Sequence, residues 1–245
     1  MRNIKLTIEY DGKEYNGWQK QPSKLNIQGE IERAIQNITG KQVELIGSGR
    51  TDAGVHAFGQ VANFKIDSDF PIEKMAIAIN SQLKKSICIK KAEEVPQEFH
   101  SRYNCHSKTY QYVIDNSEQG TAIYRGLSYH VPQKLNVEKM QKAVAYFVGE
   151  HDFSSFKSSG TSSKSSVRTI YDAKVEKDGE KVRISLTGNG FLYNMVRIIS
   201  GTLVEVGLNN ITPEDIPKII EAKNRQMAGK TLPPQGLFLM KVEYN

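Results

Sequence analysis

The chain has 245 residues, with 33 Lys or Arg against 27 Asp or Glu, a formal net charge of +6. No apolar run approaches the ~20 residues that cross a bilayer, so no membrane contact is expected. Two cysteines without a CxxC spacing, Cys88 and Cys105, argue against a disulfide framework and a cysteine zinc site, and point to a cytoplasmic protein whose positive balance suits an anionic partner.

The elements alternate along the chain. Residues 1–5 mix polar and apolar side chains at once, unlike a signal segment. Ile4, Leu6, Ile8 and Tyr10 alternate with Lys5, Thr7 and Glu9, the period of a half-buried strand. Ile27, Ile31, Ala34, Ile35 and Ile38 recur at helical spacing behind Asn26, a fitting N-cap. Residues 42–46 and 61–66 read as strands. Pro71 opens a helix carried by Ile72, Met75, Ile79 and Leu83, and residues 87–89 open a further strand. That order is βαββαβ.

The rest repeats it. Residues 109–114 form a strand, and Asn136 caps a helix bearing Val137, Met140, Val144 and Phe147, with Gly149 at its C′ position. Residues 170–176 and 181–186 flank Asp178-Gly179, a hairpin signal. Leu192, Met195, Val196, Ile199 and Leu203 form an apolar helical stripe; Thr212-Pro213 starts a short helix, and residues 237–242 form a last strand. The expected fold is α+β, with two ferredoxin-like βαββαβ halves of antiparallel sheet, residues 1–105 and 106–245, the second carrying insertions. The repeat is one of pattern, not of identity.

Two polar stretches interrupt the pattern. In residues 154–169, ten of the 16 side chains are Ser or Thr, joined by Lys157, Lys164 and Arg168 and no acid. Such a stretch buries little apolar area and is expected to be a mobile loop, either a plain insertion or one that closes on phosphates, which cations and hydroxyls both suit. The other stretch is Gly47-Ser48-Gly49-Arg50-Thr51-Asp52-Ala53-Gly54-Val55-His56-Ala57. Its glycines permit close backbone approach, and its small neighbours leave Arg50 and Asp52 as the prominent functional groups. It contains neither GxxxxGK[ST] nor GxGxxG, which argues against a nucleotide cradle. His56 follows Asp52 by four, but no third ligand cluster accompanies them, so no metal is expected.

Here a resemblance becomes specific. Gly49 to Ala57 is similar to the signature of the tRNA pseudouridine synthase A family. Tyr10-Asp11-Gly12 before Gly17-Trp18-Gln19, Ile27-Gln28-Gly29-Glu30, Phe99-His100-Ser101-Arg102 before Lys108-Thr109-Tyr110-Gln111-Tyr112, Gly149-Glu150-His151-Asp152-Phe153, Asn194-Met195-Val196-Arg197 and Gly236-Leu237 follow the family order across residues 3–243. The resemblance implies two ferredoxin-like halves flanking a central basic cleft. It implies isomerisation of uridine to pseudouridine at positions 38, 39 and 40 of the tRNA anticodon stem-loop, without cofactor or metal, by a homodimer whose two subunits both touch one tRNA.

The family's roles carry over by position. Asp52 matches the catalytic aspartate; attack on the sugar, attack on C6 of the base and abstraction of a sugar proton all remain open. Arg197 matches the arginine that pairs with it, since an opposite charge keeps a carboxylate ionised. Tyr110 matches the active-site tyrosine, suited to stack on a flipped uracil. Arg50 matches a residue that helps displace the target nucleotide, and Leu237 one that lines the pocket beneath the base. Lys157, Lys164 and Arg168 are candidates for the tRNA backbone. Trp18 is expected near the cleft or in a loop that supports it. Two other classes are open to these residues, besides a synthase acting at other tRNA positions. A non-catalytic RNA-binding module stacking bases on Tyr110 and Tyr112 leaves Asp52 and Arg197 without purpose. A glycosidase or metal nuclease needs paired carboxylates or an acidic cluster, and neither surrounds Asp52.

Overall fold

A computed structural model of the chain describes residues 1–160 and 165–245. The order of elements is β1 (Arg2–Tyr10), α1 (Ile27–Thr39), β2 (Ile46–Gly47), β3 (His56–Ile66), α2 (Ile72–Gln82), β4 (Ile87–Val95), β5 (Cys105–Asp115), β6 (Tyr129–His130), α3 (Val137–Ala145), β7 (Gly149–Asp152), β8 (Val167–Asp178), β9 (Lys181–Gly188), α4 (Met195–Gly207), α5 (Ile216–Glu221) and β10 (Leu237–Tyr244). Short 3-10 turns cover residues 154–156, 213–215, 225–227 and 234–236. The architecture is α+β and the pairing mostly antiparallel; β10 on β3 and β6 on β5 are parallel. No helix among the described residues is long and apolar enough to cross a membrane.

The chain divides into two compact units, residues 1–106 with Phe238–Asn245, and Ser107–Leu237. The first is a sheet with β1 central. β3 and β4 flank it antiparallel, β2 pairs with β3, and β10 runs parallel to β3 through Phe238 and Leu239. Alternation works as the sequence predicts: Ile4, Leu6, Ile8 and Tyr10 are buried, and α1 covers the sheet with Ile27, Ile31, Ala34 and Ile35. The Asn26 side chain caps α1 by accepting from Gly29 N at 2.8 Å, and Gly40 closes it in the left-handed region at φ 70°.

The strand expected at residues 42–46 shrinks to Ile46–Gly47. The cause is local. Both polar groups of the Leu45 peptide are taken by α1 side chains, its N donating to Glu32 Oε1 at 3.0 Å and its carbonyl accepting from Gln28 Nε2 at 3.1 Å. A backbone already satisfied by side chains has no ladder bonds left to offer there.

In the second unit β5, β9, β8 and β7 lie side by side, antiparallel throughout. Tyr110, Tyr112 and Ile114 of β5 face the core with Val182, Ile184 and Leu186 of β9. The hairpin expected at Asp178-Gly179 joins β8 to β9, with Gly179 at φ 59°. Helix α4 is buried along nearly its whole length, and it packs against α3, where Gly207 leaves room for Met140 and Leu135. Helix α3 stops at Ala145 with Tyr146 as C-cap, short of the expected end; Gly149, at φ 111°, opens β7 instead.

The stretch 154–169 corrects its expectation at both ends. Phe153 and Phe156 are fully buried against each other and Phe147, which winds 154–156 into a 3-10 turn, and β8 begins already at Val167. Two aromatic anchors outweigh the polar composition around them.

Candidate active site

Asp52 sits at a tight turn between β2 and β3, its carbonyl accepting from Val55 N at 3.2 Å, with Gly54 at φ 78°. Its side chain is half-buried. The turn is held from below. The Tyr10 hydroxyl meets Thr51 Oγ1 at 2.7 Å, both buried, and burial drives the Tyr10 pKa upward, so the phenol stays protonated as a fixed structural pin. The Ser48 hydroxyl donates to Gln60 Oε1 at 2.7 Å, Gln60 Nε2 donates to the Gly49 carbonyl at 3.0 Å, and Ser48 N pairs with the Val61 carbonyl. Trp18 lies under the loop, 2% exposed, its N bonded to the Thr51 carbonyl at 3.1 Å. Gly47 is needed for this contact, since a Cβ there would stand 2.5 Å from Trp18 Nε1. Trp18 is thus a floor of the loop.

His56, 2% exposed, stacks on Phe238 with centroids 4.9 Å apart and lies 3.0 Å from an Asp11 carboxylate oxygen. Packing and an acidic neighbour account for it. No group of three or more His, Cys, Asp or Glu able to hold a metal occurs among the described residues. A groove of about 610 Å³ in this unit, lined by Phe99, Tyr103, His106 and Tyr244 among others, includes neither Asp52 nor Arg50.

Arg50, two residues before Asp52, is exposed, with its Nε bonded to Gln19 Oε1 at 3.1 Å. Gln19, Gln28 and Glu32 continue from there into the unit.

In the second unit, Tyr110 on β5 is 8% exposed and meets Phe191 edge-on, centroids 5.2 Å apart. Tyr112, two residues on, points to the same face but is wholly buried. Its hydroxyl donates to the Pro233 carbonyl at 2.7 Å, and Gly236 admits the ring where a Cβ would stand 2.7 Å from its Cζ. Burial pushes the Tyr112 pKa well up, against the opposing pull of Arg197. The two tyrosines therefore differ in setting: Tyr112 is bonded to the Pro233 carbonyl and closed in by Gly236, while Tyr110 packs edge-on against Phe191.

Arg197 lies in the first turn of α4, where the helix dipole disfavours a cation by ~0.3–1 kcal/mol. Its partners fix it there. Nε donates to the Leu232 carbonyl at 2.7 Å and Nη1 to Asn194 Oδ1 at 2.6 Å; Asn194, at φ 61°, donates in turn to Ser158 Oγ at 2.9 Å. These two bonds fix the orientation of its guanidinium against the dipole. Leu237, 6% exposed, opens β10, and the next residue, Phe238, pairs with His56.

Lys157 and Arg168 are brought to neighbouring places. Lys157 Nζ donates to Ser166 Oγ at 2.6 Å, while Arg168 Nη1 donates to the Ser165 and Val167 carbonyls at 3.1 and 2.6 Å. Partial burial lowers the Arg168 pKa. Lys164 lies outside the described residues. The sequence left Tyr10, Gln19, Gln28, Glu32, Gln60 and Asn194 without a role. Polar side chains at buried positions of a strand or helix were the available signal for four of them.

Known proteins agree along the length of the chain. A profile of the tRNA pseudouridine synthase family matches residues 6–104 and 143–245. The chain is 54% identical over 244 residues to a tRNA pseudouridine synthase A of Caldicellulosiruptor saccharolyticus and 52% identical over 244 residues to that of Acetivibrio thermocellus. It is 50% identical over 244 residues to a tRNA pseudouridine synthase A 2 of Clostridium perfringens; each comparison covers 100% of both chains. With both units matched and half of all positions identical end to end, the chain belongs to the tRNA pseudouridine synthase family.

Proposed function

We propose that this chain isomerises uridine to pseudouridine at positions 38, 39 and 40 of the tRNA anticodon stem-loop, with Asp52 as the catalytic carboxylate. The N1–C1′ bond breaks, the uracil turns, C5 joins C1′, and the proton lost from C5 is balanced by one gained at N1, so no oxidant, cofactor or metal enters the balance. The observation that carries this reading is the turn at Asp52. Buried pins at Tyr10, Thr51, Ser48 and Gln60 hold its backbone while the carboxylate stays half-buried, the preorganisation that charge-developing chemistry requires.

In the same reading Tyr110 stacks on the extruded base, Arg197 supplies the positive charge that keeps the carboxylate ionised, Arg50 takes the place of the displaced nucleotide, and Leu237 lines the floor of the base pocket. Lys157, Lys164 and Arg168 contact phosphates. Two ferredoxin-like halves, meeting near residue 105 and flanking a basic cleft, form the scaffold; the order β4-β1-β3 with β2 on the far side of β3 supports this for the first. The working form is a cytoplasmic homodimer with one tRNA touching both subunits.

The test is to incubate the purified protein with unmodified tRNA and map pseudouridine by position. Product at 38, 39 or 40 is expected, absent with Asp52→Ala although tRNA is still bound. Product only elsewhere would overturn the positional assignment, and full activity of Asp52→Ala the catalytic one.

A further inference from the structure

Arg50 stands at the end of a directed chain of side-chain hydrogen bonds that begins inside the first unit. Glu32 on α1, 8% exposed, is the fixed end: its Oε1 accepts from Leu45 N at 3.0 Å and from Gln28 Nε2 at 2.9 Å, and its Oε2 from Lys20 Nζ at 2.9 Å. Gln28, 6% exposed, also donates through Nε2 to the Leu45 carbonyl at 3.1 Å. Its Oε1 therefore points the other way, where it accepts from Lys20 N and Gln19 Nε2, each at 3.0 Å. Gln19 must then present its own Oε1 outward, and that oxygen accepts from Arg50 Nε at 3.1 Å.

Direction is what makes this chain informative. An ionised carboxylate only accepts, and a primary amide has one accepting and one donating end. With Glu32 fixing Gln28, and Gln28 fixing Gln19, the outermost group is an acceptor, the polarity a guanidinium needs. Two of the four members are buried, so their polar groups are matched at fixed orientation rather than averaged by water. No other hydrogen bond or ion pair of the exposed Arg50 is found among the described residues, which leaves both Nη groups available to a ligand. Gln19 holds Arg50 by the nitrogen nearest the chain and keeps the rest of the fork for a ligand.

We propose that Gln19, oriented by Gln28 and Glu32, is a positioning residue for Arg50, holding its guanidinium ready for the site the target nucleotide leaves. This deepens the role given to Arg50 above and rests on that reading.

The experiment is a double-mutant cycle on single-turnover pseudouridine formation with Gln19→Met, Arg50→Ala and the pair. Gln19 is half-buried and Met preserves its bulk, so folding is checked by melting temperature alongside. Gln19→Met is expected to slow the single-turnover rate about tenfold with tRNA affinity within about twofold, and to add nothing in the Arg50→Ala background. An equal slowing in both backgrounds would show that Gln19 acts apart from Arg50 and overturn the inference. So would a normal rate for Gln19→Met when Arg50→Ala is slow. A normal rate for Arg50→Ala would overturn the role of Arg50 itself, and the positioning role with it.

Discussion

Residues 47–56 and residues 154–169 are both polar, small-residue stretches that carry cations, yet those cations are bonded differently. The first is pinned by side chains from other elements: Tyr10 on Thr51, Gln60 on Ser48 and Gly49, Trp18 beneath Gly47, Gln19 on Arg50. In the second, Ser155 and Ser158 are reached from outside by Ile219 and Asn194, but Arg168 bonds to the carbonyls of Ser165 and Val167 and Lys157 to Ser166, within the stretch itself. External pins set a group to within a fraction of an ångström, which bond-making chemistry demands. Internal ones allow a cation to change partners, which is enough for a phosphate contact. The roles proposed above follow this division, chemistry in the first region and backbone contact in the second.

Asp52→Asn is the sharpest way to break that assignment. It keeps the size of the side chain and removes its charge, so pseudouridine formation should fall by at least about 10³-fold with tRNA binding retained. A comparable loss from any change in residues 154–169 would erase the distinction. Arg197→Lys comes next. Lysine retains the charge but cannot reproduce the donation of Nε to Leu232 and Nη1 to Asn194, and a cation misplaced by an ångström should cost about 10²-fold in turnover. Loss of these two part-buried bonds should also lower the melting temperature by about a few degrees, so turnover is compared per folded molecule.

How these regions could be read from sequence alone follows the same division. The strands and helices of the first unit were legible because one face is buried and the period is undisturbed, as at Ile4, Leu6, Ile8 and Tyr10. The role proposed for Asp52 was legible only through its family resemblance; an aspartate in a turn has many uses, and the groups that pin its loop, Tyr10 and Gln60, come from distant strands. The failure at residues 42–46 has the same origin. Glu32 and Gln28 lie more than a helical turn away in sequence yet occupy the backbone of Leu45, which no local pattern encodes. At residues 154–169 and just before them, composition hid two buried phenylalanines, Phe156 and Phe153. The difference between Tyr110 and Tyr112 was likewise invisible, because it depends on Pro233 and Gly236.

Gly47→Ala tests the pins without touching a reacting group. A Cβ 2.5 Å from Trp18 Nε1 must displace the indole, so the change should cost about 1–3 kcal/mol of unfolding free energy and lower activity beyond the loss of folded protein. A variant of native stability and rate would mean the loop does not need its floor. For the other region, Arg168→Ala should weaken tRNA binding and reduce the slope of log affinity against log salt by about 0.7–0.9, the share of one phosphate contact, while the bound-state rate stays unchanged. A fall in single-turnover rate at saturating protein would place Arg168 nearer the chemistry than its self-bonded geometry implies.

The smallest effect concerns how residues 154–169 begin. Asp152 Oδ1 accepts from the Ser154 hydroxyl at 2.6 Å and from Ser154 N at 3.0 Å, and Lys223 lies 3.2 Å from its other oxygen. The Ser154 hydroxyl lowers its pKa most; burial opposes, and Lys223 adds to the lowering. A carboxyl whose folded pKa is depressed stabilises the fold above its unfolded pKa, and that contribution disappears as pH falls through the folded value. Asp152→Asn should therefore cost under about 1 kcal/mol at neutral pH, because the group is partly exposed and screened. The gap between the two proteins should close in acid, below the ordinary carboxylate range, and denaturant unfolding across pH reads it directly. A gap that persists there would mean the cap works through shape, not charge, and the start of this segment would then be held as firmly as the loop at Asp52.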